Sequence, residues 1–227
     1  MCMKKRKLFV TTMLAMSMVI SSSIVTSAAS SSGTSSTSSI FSVKSINKCL
    51  SEIAKSPLYS DVKNGTKIVP TSSTNLTKLS STSTGTYPTR KGVILVTGDA
   101  YKGLLPTGHA AIVYSSNTVV ESLSNGVTTG KNNWYQTKET CYGASTYGTS
   151  AQNDITVANW CYGKIGTPYN YNYFNTSTRK KFYCSQLVYA GYLDNYNINL
   201  NTSLFGGAVH PLELIQSDET YLIYKQN

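Results

Sequence analysis

Serine and threonine set the first limit on what this chain can fold into. Residues 30–39 are almost entirely Ser, Thr and Gly, and residues 71–86 return to a similar composition. Such segments bury too little apolar surface to offset the entropy of ordering them. Of the 227 residues, only the stretch from about Tyr87 onward is long and apolar enough to enclose a sizeable core. The expected organisation is an export signal over 1–29, a flexible Ser-rich linker over 30–45, a short helix with a loose connector over 46–86, and one folded domain over 87–227.

The signal reads from three adjoining features. Lys4, Lys5, Arg6 and Lys7 form a basic start, residues 8–20 are mostly apolar, and Ser27, Ala28 and Ala29 supply small residues for cleavage. The apolar run is short for a bilayer span and no second run follows, so no stable membrane anchor is expected after cleavage. The expected location is secreted, extracellular and associated with the cell wall. The formal charge of +10 is partly carried by those early basic residues. The remainder suits an anionic surface such as a cell wall, and serves equally to keep the chain soluble. Lys and Arg are scattered rather than striped, which argues against nucleic acid as a partner. Export permits disulfides, and among Cys49, Cys141, Cys161 and Cys184 the first pairing to expect is Cys141–Cys161.

Periodicity places the elements. Ile46, Cys49, Leu50 and Ile53 follow a helical spacing that Pro57 ends. Residues 93–97 form a short β-branched run, read as a buried strand. His109 opens a second strand over 110–114, Ser115, Ser116 and Asn117 turn the chain, and 118–123 returns. Residues 134–149 look like loop, rich in Tyr and Gly. Asp154 is placed to cap a helix carrying Val157, Trp160 and Cys161 that ends near Gly163 or Gly166. A Tyr/Asn-rich loop covers 168–178. A helix runs from Cys184 to about Leu193 with Leu187, Val188 and Gly191 on its face. A short helix follows Pro211, and residues 221–224 are a final strand.

Few residues can carry chemistry, which makes their arrangement testable. Cys184 sits at a helix start, where free backbone N–H groups and the helix dipole favour a thiolate. The alternative is an inert buried Cys packed beside Leu187 and Val188. The sequence has two histidines. His109 stands at a strand mouth and is the better-held base; His210, before Pro211, reads as a surface or capping residue. If the turn is centred on Ser116, His109 lies opposite Leu123 and Glu121 sits one diagonal step away on the same face. Glu121 would then orient the imidazole. A one-residue slip sends it to the other face, as a solvent-facing strand carboxylate. Separated histidines without a Cys-x-x-Cys pair do not give zinc spacing, so no metal or other cofactor is expected.

Three stretches carry a resemblance: RKGVILVT at 90–97; TGHAAIVY at 107–114 with VVESL at 119–123; and GTPY at 166–169 leading to FYCSQLV at 182–188. In this order they resemble the circularly permuted branch of the NlpC-type cysteine peptidase superfamily, the YiiX/YebB-like proteins. The resemblance implies an α+β papain-like fold, with the Cys-bearing helix packed on an antiparallel sheet that carries the His. It implies Cys184 as nucleophile, His109 as base and Glu121 as third polar residue. It also implies that Tyr169 lines the site and helps bind the oxyanion, a role open to Tyr171 or Tyr173 as well. Tyr183 and Gln186 stand where unpermuted cell-wall enzymes have Asp and Gly, so the substrate pocket need not match theirs.

The expected function is a secreted cysteine amidase or peptidase acting on cell-wall peptides. A lipid thioesterase or acyltransferase using the same dyad, and a non-catalytic wall-binding module, are the alternatives. An apolar groove beside Cys184 favours the former of these, a polar cleft lined by the Asn-rich loop favours the amidase, and a Cys49–Cys184 disulfide favours the module.

Overall fold

The computed structural model describes residues 42–60, 69–70, 83–99 and 107–227. The expected export signal, most of the Ser-rich linker and most of the loose connector lie outside these residues. The first helix, α1 (Val43–Lys55), starts at Ser42, whose hydroxyl accepts from the Ser45 N–H, and buries Ile46, Cys49 and Ile53. Those three side chains join the main core, so this helix packs with the domain that follows it.

A short pair, β1 (Tyr59–Ser60) and β2 (Val69–Pro70), forms its own antiparallel ladder. The main sheet has seven strands. These are β3 (Ser83–Gly85), β4 (Ile94–Thr97), β5 (His109–Ser115), β6 (Thr118–Leu123), β7 (Gly126–Lys131), β8 (Cys141–Thr146) and β9 (Thr220–Gln226), in the spatial order β3-β9-β8-β4-β5-β6-β7, with every neighbour antiparallel. The sheet thus begins at Ser83, inside the expected connector. Three residues suffice there because the edge strand β3 needs only the ladder to Tyr224, Lys225 and Gln226.

Between β7 and β8 lies a single turn, α2 (Trp134–Thr137). Two longer helices, α3 (Ala151–Tyr162) and α4 (Cys184–Tyr196), and a short one, α5 (Glu213–Gln216), complete the fold. Both faces of the sheet are buried at its centre, so β4 and the middle of β5 read as continuous apolar runs and not as alternation. Val96, Ala110, Ile112 and Val120 pack with Val157, Cys161, Leu187 and Val188 of the helices. Leu95, Ala111, Val113 and Val119 pack on the other face with Trp134 and Cys141. Gly191 lets α3 and α4 approach closely, because a Cβ there would sit 2.9 Å from Val157 and 3.1 Å from the Cys161 sulfur. The result is the α+β papain-like architecture that the sequence led us to expect.

Three readings of the sequence need correction. Residues 134–149 are not loop: they hold α2 and the fully buried interior strand β8. Its small residues hid it, and they are needed there, since a Cβ on Gly143 would lie 2.5 Å from Pro88. The cap of α3 is Ser150, whose hydroxyl accepts from the Asn153 N–H, and not Asp154. Asp154 sits in the first turn, buried, 3.0 Å from an Arg90 guanidinium nitrogen. Finally, Cys49, Cys141, Cys161 and Cys184 are all free. Cys141 and Cys161 belong to clusters on opposite faces of the sheet, which forbids the expected bridge.

Candidate active site

The hairpin of β5 and β6 sets the first half of the site. Ala111 faces Glu121, Ile112 faces Val120 and Val113 faces Val119, and the ladder then shifts so that Ser115 faces Thr118. The turn is therefore the tight Ser116–Asn117 pair, and an irregularity between Val113 and Ser115 absorbs one residue. The body of the hairpin keeps the register expected for a turn centred on Ser116, so Glu121 does share a face with His109. His109 Nε2–H donates to Glu121 Oε2 at 2.6 Å. Trp134 stacks on the imidazole, ring centres 5.3 Å apart and planes 27° from parallel. This indole was missed in the sequence because it falls in the stretch misread as loop.

The helix α4 supplies the second half. Its start is fixed on two sides. Ser122 Oγ of β6 donates to the Phe182 carbonyl at 2.7 Å, and Ser185 Oγ donates to the Val209 carbonyl at 2.6 Å. Gln186 Oε1 accepts from the Tyr183 N–H and from Asn170 Nδ2, while its amide donates to the carbonyls of Asn175 and Thr178. Ser185 and Gln186 are thus buried polar residues with their bonding satisfied by neighbouring backbone. The GTPY motif is held from β7. Val127 N–H donates to the Thr167 carbonyl, Gly166 N–H donates to the Val127 carbonyl, and Gly126, at φ 104°, leaves room for Thr167.

Cys184 is the first residue of α4 and 9 % exposed. The His109 ring and the N–H groups of Ala110 and Ser185 lie near enough to its sulfur to act on its acidity. With Nε2 engaged by Glu121, Nδ1 is the ring nitrogen left for the sulfur. Burial pushes the thiol up, but the His109 bond and charge and the two N–H donors outweigh it and hold Cys184 below its ordinary value. Burial pulls His109 down, but Cys184 and then Glu121 raise it to about 9. The two shifts run in the directions that favour a coupled thiolate–imidazolium pair.

The structure therefore brings Cys184, His109 and Glu121 together. Tyr169 is near enough for the Cys184 charge to act on it; burial and that charge push its phenol well above the ordinary range, so it stays a protonated donor. Its ring meets Tyr171 at 4.8 Å. His210 is apart from the pair and is buried, which corrects the surface reading. It does cap: its Nδ1 accepts from the Leu212 N–H at 3.2 Å, and its ring stacks on Phe205. Asn170 is fully buried in the framework under the loop and does not line a cleft. The surface-facing side chains of the loop include Tyr171, Tyr173 and Phe174. Among the described residues no group of three or more His, Cys, Asp or Glu is placed to hold a metal ion.

Comparison with known proteins gives two likenesses. Residues 104–211 match a family described as permuted papain-like amidase enzymes, YaeF/YiiX, the C92 family. The crystal structure of the metalloprotein yiiX from Escherichia coli O157:H7 is similar at 14 % identity and a TM-score of 0.45, covering 60 % of this chain and 96 % of that one. A search of curated proteins found no match. The family match extends from before the His strand to beyond the Cys helix. The match covers somewhat less than half of the chain, and it supports an enzyme, a cysteine hydrolase of the amidase type.

Proposed function

We propose that this enzyme cleaves amide bonds through a Cys184 acyl-enzyme, with His109 as acid and base and Glu121 as the group that orients it. The observation that carries the reading is the pairing of a buried, helix-start sulfur with an imidazole whose far nitrogen is held 2.6 Å from a carboxylate. The Cys184 thiolate attacks the carbonyl carbon, and the imidazolium gives its proton to the leaving nitrogen as the C–N bond breaks. Water then adds to the thioester while His109 takes its proton, and the carboxylic acid leaves. Backbone N–H groups at the start of α4 and the Tyr169 hydroxyl supply donors for the oxyanion. Trp134, stacked on the His109 ring, shields that face of the imidazole from water.

The substrate we favour is a cell-wall peptide met outside the cell, in keeping with the signal-like start and the positive charge. Placement in the NlpC-type, YebB-like branch belongs to the same proposal. A second reading, transfer or hydrolysis of an acyl ester or thioester, draws support from the loop beside the nucleophile. Its asparagine at 170 turns inward while the rings of Tyr171, Tyr173 and Phe174 face out beside the exposed Asn172 and Asn175, which makes that side more apolar than composition suggested. Digestion of purified peptidoglycan, followed by mass spectrometry for new free amines, separates the two. Release of wall peptides by the wild type and not by Cys184→Ala supports the amidase. Turnover confined to acyl esters would replace it with the second reading.

A further inference from the structure

We propose that the loop of residues 171–181 is a docking surface for anionic lipid, seating the mouth of the active site on a membrane. The loop is closed at its neck: Asn170 N–H donates to the Phe182 carbonyl, Phe182 N–H donates to the Pro168 carbonyl, and Tyr169 bridges Phe182. Its inner side is fastened by Asn170 and by Gln186. A loop held in this way cannot fold its side chains back into the core. Tyr171 is 67 %, Phe174 48 % and Tyr173 40 % exposed. Leu123, exposed at the end of β6, adjoins them, because the Tyr171 hydroxyl donates to the carbonyl of its neighbour Ser124.

This patch borders the nucleophile. Tyr171 packs on Tyr169, which feels the Cys184 charge, and Tyr173 packs on Tyr183, the residue before Cys184. Charge selects the partner. From Tyr169 to Ser185 there is no Asp or Glu. Arg179 is paired with Asp194, while Lys180 and Lys181 are exposed and in no ion pair among the described residues. Exposed rings beside exposed lysines form the pattern of an interfacial lipid contact, with rings at the acyl boundary and ammonium groups among anionic headgroups. A polysaccharide would reward the tyrosines but not Phe174 or Leu123, whose side chains offer no polar atom. No described helix is long and apolar enough to cross a membrane, so the contact is peripheral and reversible.

The test uses the full chain carrying Cys184→Ala, so that docking is read without hydrolysis. It is sedimented with vesicles of phosphatidylcholine alone, or mixed with phosphatidylglycerol. Binding is expected to the mixed vesicles and to weaken as salt rises. The double substitution Tyr171→Ser, Phe174→Ser is expected to lower partitioning by roughly tenfold or more. The separate pair Lys180→Gln, Lys181→Gln should remove the preference for phosphatidylglycerol while leaving the rings in place. Phe174→Trp should bind as before, with its fluorescence quenched by brominated lipid. Undiminished binding of the double Ser variant would overturn the proposal, since the contact would lie elsewhere, as in the apolar run at residues 8–20. Binding to purified wall polymer but not to vesicles would overturn it in favour of a wall-docking loop.

Discussion

Cys184 and His109 shift one another, and neither value makes sense alone. Burial by itself would leave a neutral thiol beside a neutral imidazole. The hydrogen bond between them, with Glu121 behind the ring, reverses both tendencies. The signs fix a pH window. The thiolate persists as pH falls until it reaches the lowered Cys184 value, below the usual 9. The imidazolium persists as pH rises until it reaches about 9. Iodoacetamide should therefore label Cys184 rapidly at neutral pH, and amide hydrolysis should decline above about pH 9 as the proton donor is lost. Glu121→Gln keeps the shape but removes a charge that raises His109. It should lower kcat by on the order of 10²- to 10⁴-fold and move the alkaline limb to lower pH. An unchanged alkaline limb in this variant would show that Glu121 does not act on the ring.

The elements were legible where apolar periodicity and turn chemistry agreed, and obscure where packing took over. The hairpin of β5 and β6 could be read with its register because β-branched runs flank a Ser/Asn turn. The core face of α1 was visible as Ile46, Cys49 and Ile53. Strand β8 was not visible, since CYGAST shows neither alternation nor bulk; its place between β4 and β9 is set by long-range pairing alone. The inward turn of Asn170 and Gln186 was likewise hidden, because composition does not say which amide finds backbone partners. Asp154 was misplaced as a cap for the same reason, its partner Arg90 being remote in sequence. The two Arg pairs show how depth decides their worth. Arg90→Met leaves the Asp154 side chain, 3 % exposed, without its cation and should destabilise the protein by about 3–5 kcal/mol. Arg179→Met breaks a bidentate pair whose side chains are 27 % and 32 % exposed, and should cost about 1 kcal/mol or less. Urea unfolding of the two variants, compared at equal slope, measures the difference.

At the scale of the whole molecule, the fold holds without covalent cross-links between described residues. Cys49, Cys141 and Cys161 serve as small apolar side chains, and burial pushes all three thiols up. A reducing agent should leave the unfolding midpoint unchanged. Alkylation of the native protein should modify Cys184 ahead of Cys49, Cys141 and Cys161, which become reactive only after denaturation; a mass shift of intact protein counts them. A native disulfide between any two of these cysteines would contradict the packing described above.

The parts of the reactive pair have different histories within one chain. His109 meets Glu121 through a hairpin of neighbouring residues, a local contact that forms early. The sulfur comes with α4, from far along the chain, and its place beside the ring depends on the bonds that tie Ser122 to the Phe182 carbonyl and Ser185 to the Val209 carbonyl. Until that closure the thiol has no imidazole, no helix-start donors and an ordinary acidity. A half-made molecule is therefore chemically quiet: reactivity is a property of completed assembly, and the nascent chain is spared attack by its own nucleophile.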